Sequence, residues 1–135
     1  MGRWQPEGLT EGFSRPRTAY MPNWIPRFFR AAAIYGLLVL PPAYFQPWPA
    51  EHPEAFLGFI GIATTFQLVF WMIASDPSRY RALMPIAVLE KLSFGAPGLL
   101  LFAQGRVGTV IAVFATIDLL LGLGFLLAWK ATPRD

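Results

Sequence analysis

Four apolar stretches, each long enough to cross a bilayer, leave this chain few folds to choose from. They run over about 26–45, 54–75, 84–103 and 108–129. A hydrocarbon core of about 30 Å takes about 20 helical residues, and each block meets that length. Hydrophobic residues make up 55% and charged residues 14% of the chain, against about 25% charged in soluble domains. Because the apolar residues fall in long blocks, they read as membrane spans rather than a soluble core. The expected fold is all-α: an integral membrane four-helix bundle, up-down-up-down, with short loops.

The expected organisation has three parts: a tail over 1–23, a four-span domain over 24–130, and a short end over 131–135. The tail mixes Gly, Pro, Arg, Glu and Thr without apolar period and reads as irregular. Its basic second half, with Arg15 and Arg17, fits lipid headgroups; a partner-docking arm is the sharper alternative. No secretory cleavage pattern follows the first apolar block.

In the first span, Pro26 suits the first helical position. Trp24, Phe28 and Phe29 read as one aromatic belt, and Tyr44, Phe45 and Trp48 as the other. Pro41-Pro42 predicts a kink or an early end. The loop QPWPAEHP holds the only histidine, His52. With Glu51 and Glu54 it makes a poor metal set, so no metal site is expected, and Pro53-Glu54 reads better as a helix start. In the second span Gly58 and Gly61 share a face that permits close helix contact. Thr64 and Gln67 also share a face; Thr can bond its own backbone, so only Gln67 demands a partner.

Of the 11 Lys and Arg residues, all but Lys91 and Arg106 fall on the side shared by both termini and the middle loop. That bias predicts cytoplasmic termini.

Three charges interrupt the spans: Glu90, Lys91 and Asp118. Charges inside a membrane are costly and ask for partners. Glu90 and Lys91 are adjacent, about 100° apart on a helix, and are not expected to pair well with each other. Lys91 shares a stripe with Ala87, Gly95 and Gly98; Asp118 shares one with Ala115 and Gly122. Such small-residue stripes let helices approach closely. By helical rise, Lys91 lies about 10 Å and Asp118 about 16 Å from the cytoplasmic side, so a bridge between them is geometrically reasonable. Three readings stay open. Lys91 neutralises Asp118 or Glu90 and the pair fixes helix packing, or Glu90 and Lys91 snorkel and leave only Asp118 buried, or the trio with Gln67 lines a polar pocket for a proton, ion or small ligand.

Other chemistry is excluded by what the sequence lacks. There is no cysteine, and hence no disulfide or thiol catalysis. No phosphate loop, zinc motif or nucleophile elbow occurs. No histidine lies in a span to ligate haem. The arginines flank spans, which fits phospholipid headgroups and not nucleic acid. No catalytic residue and no cofactor are predicted.

At Asp76-Pro77-Ser78-Arg79-Tyr80-Arg81, between two glycine-containing spans, the chain resembles small four-helix bacterial membrane proteins of the broad DoxX-like group. The resemblance covers about Glu54 to Trp129. It implies a bacterial inner membrane and, for some members, association with quinone-coupled or thiol redox complexes. It supplies no catalytic residue. The leading expectation is a non-enzymatic accessory or scaffold protein that associates with itself or with a larger membrane complex. The alternative is a small-molecule, quinone or proton-handling protein built on Glu90, Lys91, Asp118 and Gln67.

Overall fold

A computed structural model describes residues 20–134. The basic tail proposed for 1–23 therefore lies outside the described residues up to residue 19. Four helices follow in order: α1 (Trp24–Val39), α2 (Pro53–Ser75), α3 (Met84–Ala103) and α4 (Thr109–Ala131). No strand occurs among the described residues, and all four helices are long and apolar enough to cross a membrane. Only 22–28% of each apolar window is buried. Leu38, Ile62, Leu68, Leu89, Val110 and Leu120 are all more than half exposed. An exterior this greasy is solvated by lipid, not by water. The chain is a small multi-pass membrane protein.

The helix ends follow from local chemistry. α1 starts at Trp24, so Pro26 sits at its third position instead of its first. Its missing N–H is harmless there, because the first four amides of a helix have no partner inside it. At the far end Pro41 and Pro42 stop the α-helix at Val39, and the chain tightens into a 3-10 turn over Pro41–Phe45. Pro53 and Glu54 open α2. Between α2 and α3, the Arg79 amide donates to Asp76 Oδ1 at 3.3 Å and the Tyr80 amide to Asp76 O at 3.1 Å. α3 continues through Pro97 to Ala103.

The bundle is two hairpins. α3 packs on α4 along most of its length, and α1 on α2; the two pairs meet far less. Glycines set the first interface. A Cβ on Gly95 would lie 2.7 Å from Leu119 Cγ, and one on Gly98 2.8 Å from Ala115 Cβ. Across the same seam, a Cβ on Gly122 would lie 3.1 Å from Lys91 Cβ. Among the described residues Gly61 is approached only by the Tyr44 hydroxyl, at 3.0 Å. Gly58 departs from expectation: it is exposed with open space where its Cβ would be, so it packs against no helix among the described residues. Two other glycines are close-packed instead. Gly36 meets the Gln67 side chain, and Gly124 meets the ring of Phe28.

The hairpins close on each other at one end only, where the two termini of the bundle and the α2–α3 turn lie. Ile25, Phe29, Phe70, Ile73, Met84 and Phe125 form a buried core there. Phe29 and Phe125 stack at 4.4 Å between centroids, and Phe70 lies 4.8 Å from Phe125. Phe29 is therefore core, and not part of an aromatic belt. Helical period places it on the face of Ile25, Ala32, Ala33 and Gly36, all buried. Phe28 also turns inward, edge-on to Phe125 at 5.6 Å, while Trp24 stays exposed.

Candidate functional site

Above the aromatic core the bundle opens into a cavity of about 260 Å³. All four helices line it: Tyr35 and Gly36 from α1, Phe56, Phe59, Ala63 and Gln67 from α2, Glu90, Lys91 and Phe94 from α3, and Phe114 and Asp118 from α4. Apart from Gln67, which lies just past the middle of α2, these belong to the C-terminal half of α1, the N-terminal halves of α2 and α4, and the middle of α3. The cavity thus lies toward the first loop, opposite the packed core. Its wall is mostly aromatic and aliphatic, with Gln67, Glu90, Lys91 and Asp118 gathered at its inner end.

That polar group begins with Lys91. The small stripe Ala87, Lys91, Gly95, Gly98 is buried, which aims the lysine at α4 rather than at lipid. Its Nζ lies 3.2 Å from Asp118 Oδ1 and donates a hydrogen bond to it. It also stands 5.2 Å above the ring of Phe70, the top of the packed core. Lys91 is only 4% exposed, so its ammonium turns inward and does not snorkel to the interface. Asp118 occupies the neighbouring stripe, with Ala115 and Gly122 buried above and below it.

Glu90 corrects an expectation. Adjacent positions diverge on a helix, yet Glu90 Oε2 is 3.5 Å from Lys91 Nζ. The lysine stem is long enough to bring its ammonium back between two carboxylates, which Cβ directions alone do not capture. The geometry stops short of a hydrogen bond, and Glu90 Oε2 is buried without a donor among the described residues. Two carboxylates thus flank one ammonium.

Gln67 completes the inner end. It is 1% exposed. Its Nε2 donates to Ala63 O at 2.8 Å, one turn back on its own helix. Its Oε1 lies against Gly36 and has no donor among the described residues. The neighbouring threonines are self-sufficient: Thr64 Oγ1 donates to Ile60 O at 2.7 Å, and Thr65 Oγ1 to Gly61 O at 2.9 Å. A buried carbonyl oxygen without a donor costs about 1–3 kcal/mol, so the Gln67 oxygen is an unmet acceptor beside the ionic cluster.

A second groove of about 320 Å³ runs between α2 and α3, lined by Phe59, Ile62, Ala63, Phe66, Ile86, Leu89, Glu90 and Ser93. It shares Phe59, Ala63, Glu90 and Ser93 with the cavity. Because α2 and α3 touch little, this groove leads from the lipid-facing side to the acidic end.

His52 lies outside this site. It is exposed in the first loop with a left-handed backbone, φ 53°, and its Nδ1 is 3.3 Å from Glu54 Oε1. No cluster able to hold a metal ion occurs among the described residues. Arg81 is a residue that sequence reasoning missed. Its Nε donates to Thr132 O and its Nη2 to Trp129 O, each at 3.0 Å. The guanidinium also lies 5.3 Å from the Trp129 ring. It caps the open carbonyls at the end of α4 from 48–51 residues away. A span-flanking arginine facing a helix end was the only hint.

In comparison with known proteins, no family model matches the chain, and no curated protein and no solved structure matches it.

Proposed function

We propose that this membrane protein holds a small lipophilic molecule in the open half of its bundle. The observation that carries the reading is the cavity itself: all four helices line it, it is apolar over most of its wall, and at its inner end it holds the Glu90–Lys91–Asp118 cluster and the donor-less Gln67 oxygen. A few polar groups converging in an apolar concavity are the usual form of a small-molecule site. Intramembrane charges that turn inward favour the same reading. The proposal includes a bacterial plasma membrane with both termini cytoplasmic; the one-sided distribution of Lys and Arg supports that orientation.

The test is saturable binding of a neutral aromatic probe, 1-aminoanthracene, to detergent-solubilised protein. Ser93 is exposed at the mouth shared by cavity and groove, so Ser93→Phe should obstruct entry without disturbing the packed core. Binding at about one site per chain, abolished by Ser93→Phe, is expected. Probe uptake that grows with detergent alone and ignores the substitution would refute the reading.

A second reading is an accessory or scaffold protein that assembles with itself or with a larger complex. Gly58 favours it: this glycine faces outward with free space above it, a surface on which another helix could lie close. Gly58→Leu should then shift the native mass in mild detergent toward the monomer.

A further inference from the structure

Charge inside the cavity points to what the ligand must carry. Glu90 and Asp118 bring two acids to the inner end, and Lys91 brings one base. Tyr35 is the remaining titratable residue in the lining, a phenol that is neutral in its ordinary form. Among the described residues no arginine or second lysine lines the cavity. With every acid ionised the cluster sums to one negative charge. In hydrocarbon an uncompensated charge is costly, so the cluster favours a further positive charge beside it. The wall above the cluster is aromatic. Phe56, Phe59, Phe94 and Phe114 all line it, and ring faces attract organic cations that have shed part of their water. Lys91 already uses this chemistry one layer below, 5.2 Å over Phe70. The donor-less Gln67 oxygen, buried at the same end, adds one more partial negative charge.

We infer that the cavity takes a small organic cation with an apolar body, its charge set against Glu90 and Asp118 and its body among Phe56, Phe59, Phe94 and Phe114. The inference rests on the ligand-binding reading above and names the ligand class. The groove between α2 and α3 supplies the route, because it joins the lipid-facing surface to Glu90. A lipophilic cation can therefore reach the carboxylates from within the membrane. At about 260 Å³ the space suits one aromatic ring with a compact ammonium.

Two probes of the same shape separate charge from greasiness: benzyltrimethylammonium, a permanent cation, and its uncharged carbon analogue neopentylbenzene. Radiolabelled benzyltrimethylammonium is dialysed to equilibrium against the full-length protein in dodecyl maltoside, with empty micelles as blank. Saturable binding of about one cation per chain is expected, and neopentylbenzene should displace it only at concentrations at least tenfold above those at which unlabelled benzyltrimethylammonium does. Glu90→Gln and Asp118→Asn should each weaken binding at least tenfold. Lys91→Met removes the competing internal ammonium and should tighten binding several-fold, a gain that a merely structural role for the cluster does not produce. Each variant is compared only when it elutes as a single species like the wild type. Glu90→Gln keeps the test decisive if Asp118→Asn fails to fold, since the Lys91–Asp118 bridge survives in it. Absent cation binding, equal displacement by neopentylbenzene, or full affinity in Glu90→Gln would overturn the inference. If 1-aminoanthracene binding blocked by Ser93→Phe persists while the cation does not bind, the pocket stands and only its charge preference falls. Loss of both removes the pocket as well.

Discussion

Lys91 shows how a charge is carried inside a membrane helix. Its stem lies along a small-residue stripe, and its ammonium bonds Asp118 on the next helix. Removing Lys91 strands both Asp118 and Glu90 in low dielectric, whereas removing Lys91 and Asp118 together leaves only Glu90 without its ammonium. Lys91→Met should therefore lower stability more than the Lys91→Met/Asp118→Leu double substitution does. A coupling of about 1–3 kcal/mol is expected between residues in direct contact, read from denaturation of the detergent-solubilised protein; additive losses would mean that the bridge is energetically idle. The glycines give a second contrast at this scale. Gly36 has no room for a side chain beside Gln67, and Gly58 has ample room. Gly36→Leu should cost about 1–3 kcal/mol through overpacking. Gly58→Leu should leave unfolding of the monomer within about 0.5 kcal/mol of wild type. Equal effects at the two positions would contradict the packing described.

At the scale of the element, the ends of helices matter as much as their faces. α4 ends where Arg81 supplies donors to the carbonyls of Trp129 and Thr132. A fork with fixed N–H directions reaches two acceptors at once; a lysine ammonium on a flexible stem does not do so equally well. Arg81→Lys is thus expected to behave like a loss, costing about 1–3 kcal/mol as for charge-assisted bonds. Amide hydrogen exchange in the last turn of α4 is the measurement, and protection equal to wild type would rule the cap out. At the other side of the bundle, the proline pair ends α1 early, so that Pro41–Phe45 turns in a tighter helix. Val39, Leu40 and Ala43 around that break line the cavity, which ties a local backbone rule to the open half of the molecule.

For the whole molecule the organising fact is asymmetry along the membrane normal. The two hairpins lock together through phenylalanines at one end and stand apart at the other, with the ionic cluster at the boundary. The proposed orientation puts the open end toward the first loop, away from the cytoplasm. Because the sequence has no cysteine, single cysteines can be introduced without further engineering. His52→Cys in intact cells should react with a membrane-impermeant maleimide, and Arg134→Cys should react only after permeabilisation. The same accessibility for both would break the topology and the placement of the cavity.

The four spans, their approximate bounds and their lipid-solvated exterior were legible in the chain, because a bilayer imposes a length and a polarity that blocks of apolar residues record directly. Glu90, Lys91, Asp118 and Gln67 stood out for the same reason: polar groups in hydrocarbon are conspicuous by type alone. Which faces meet is a property of pairs of helices, and no single helix states it. Tertiary structure alone decided that Phe29 stacks on Phe125, that Gly36 is tightly packed and Gly58 is not, and that Lys91 sits between two carboxylates. It alone also leaves the hairpins apart above the aromatic core. Hydrophobic pattern fixes what must avoid water, whereas the gap between helices depends on side-chain volumes brought together from all four.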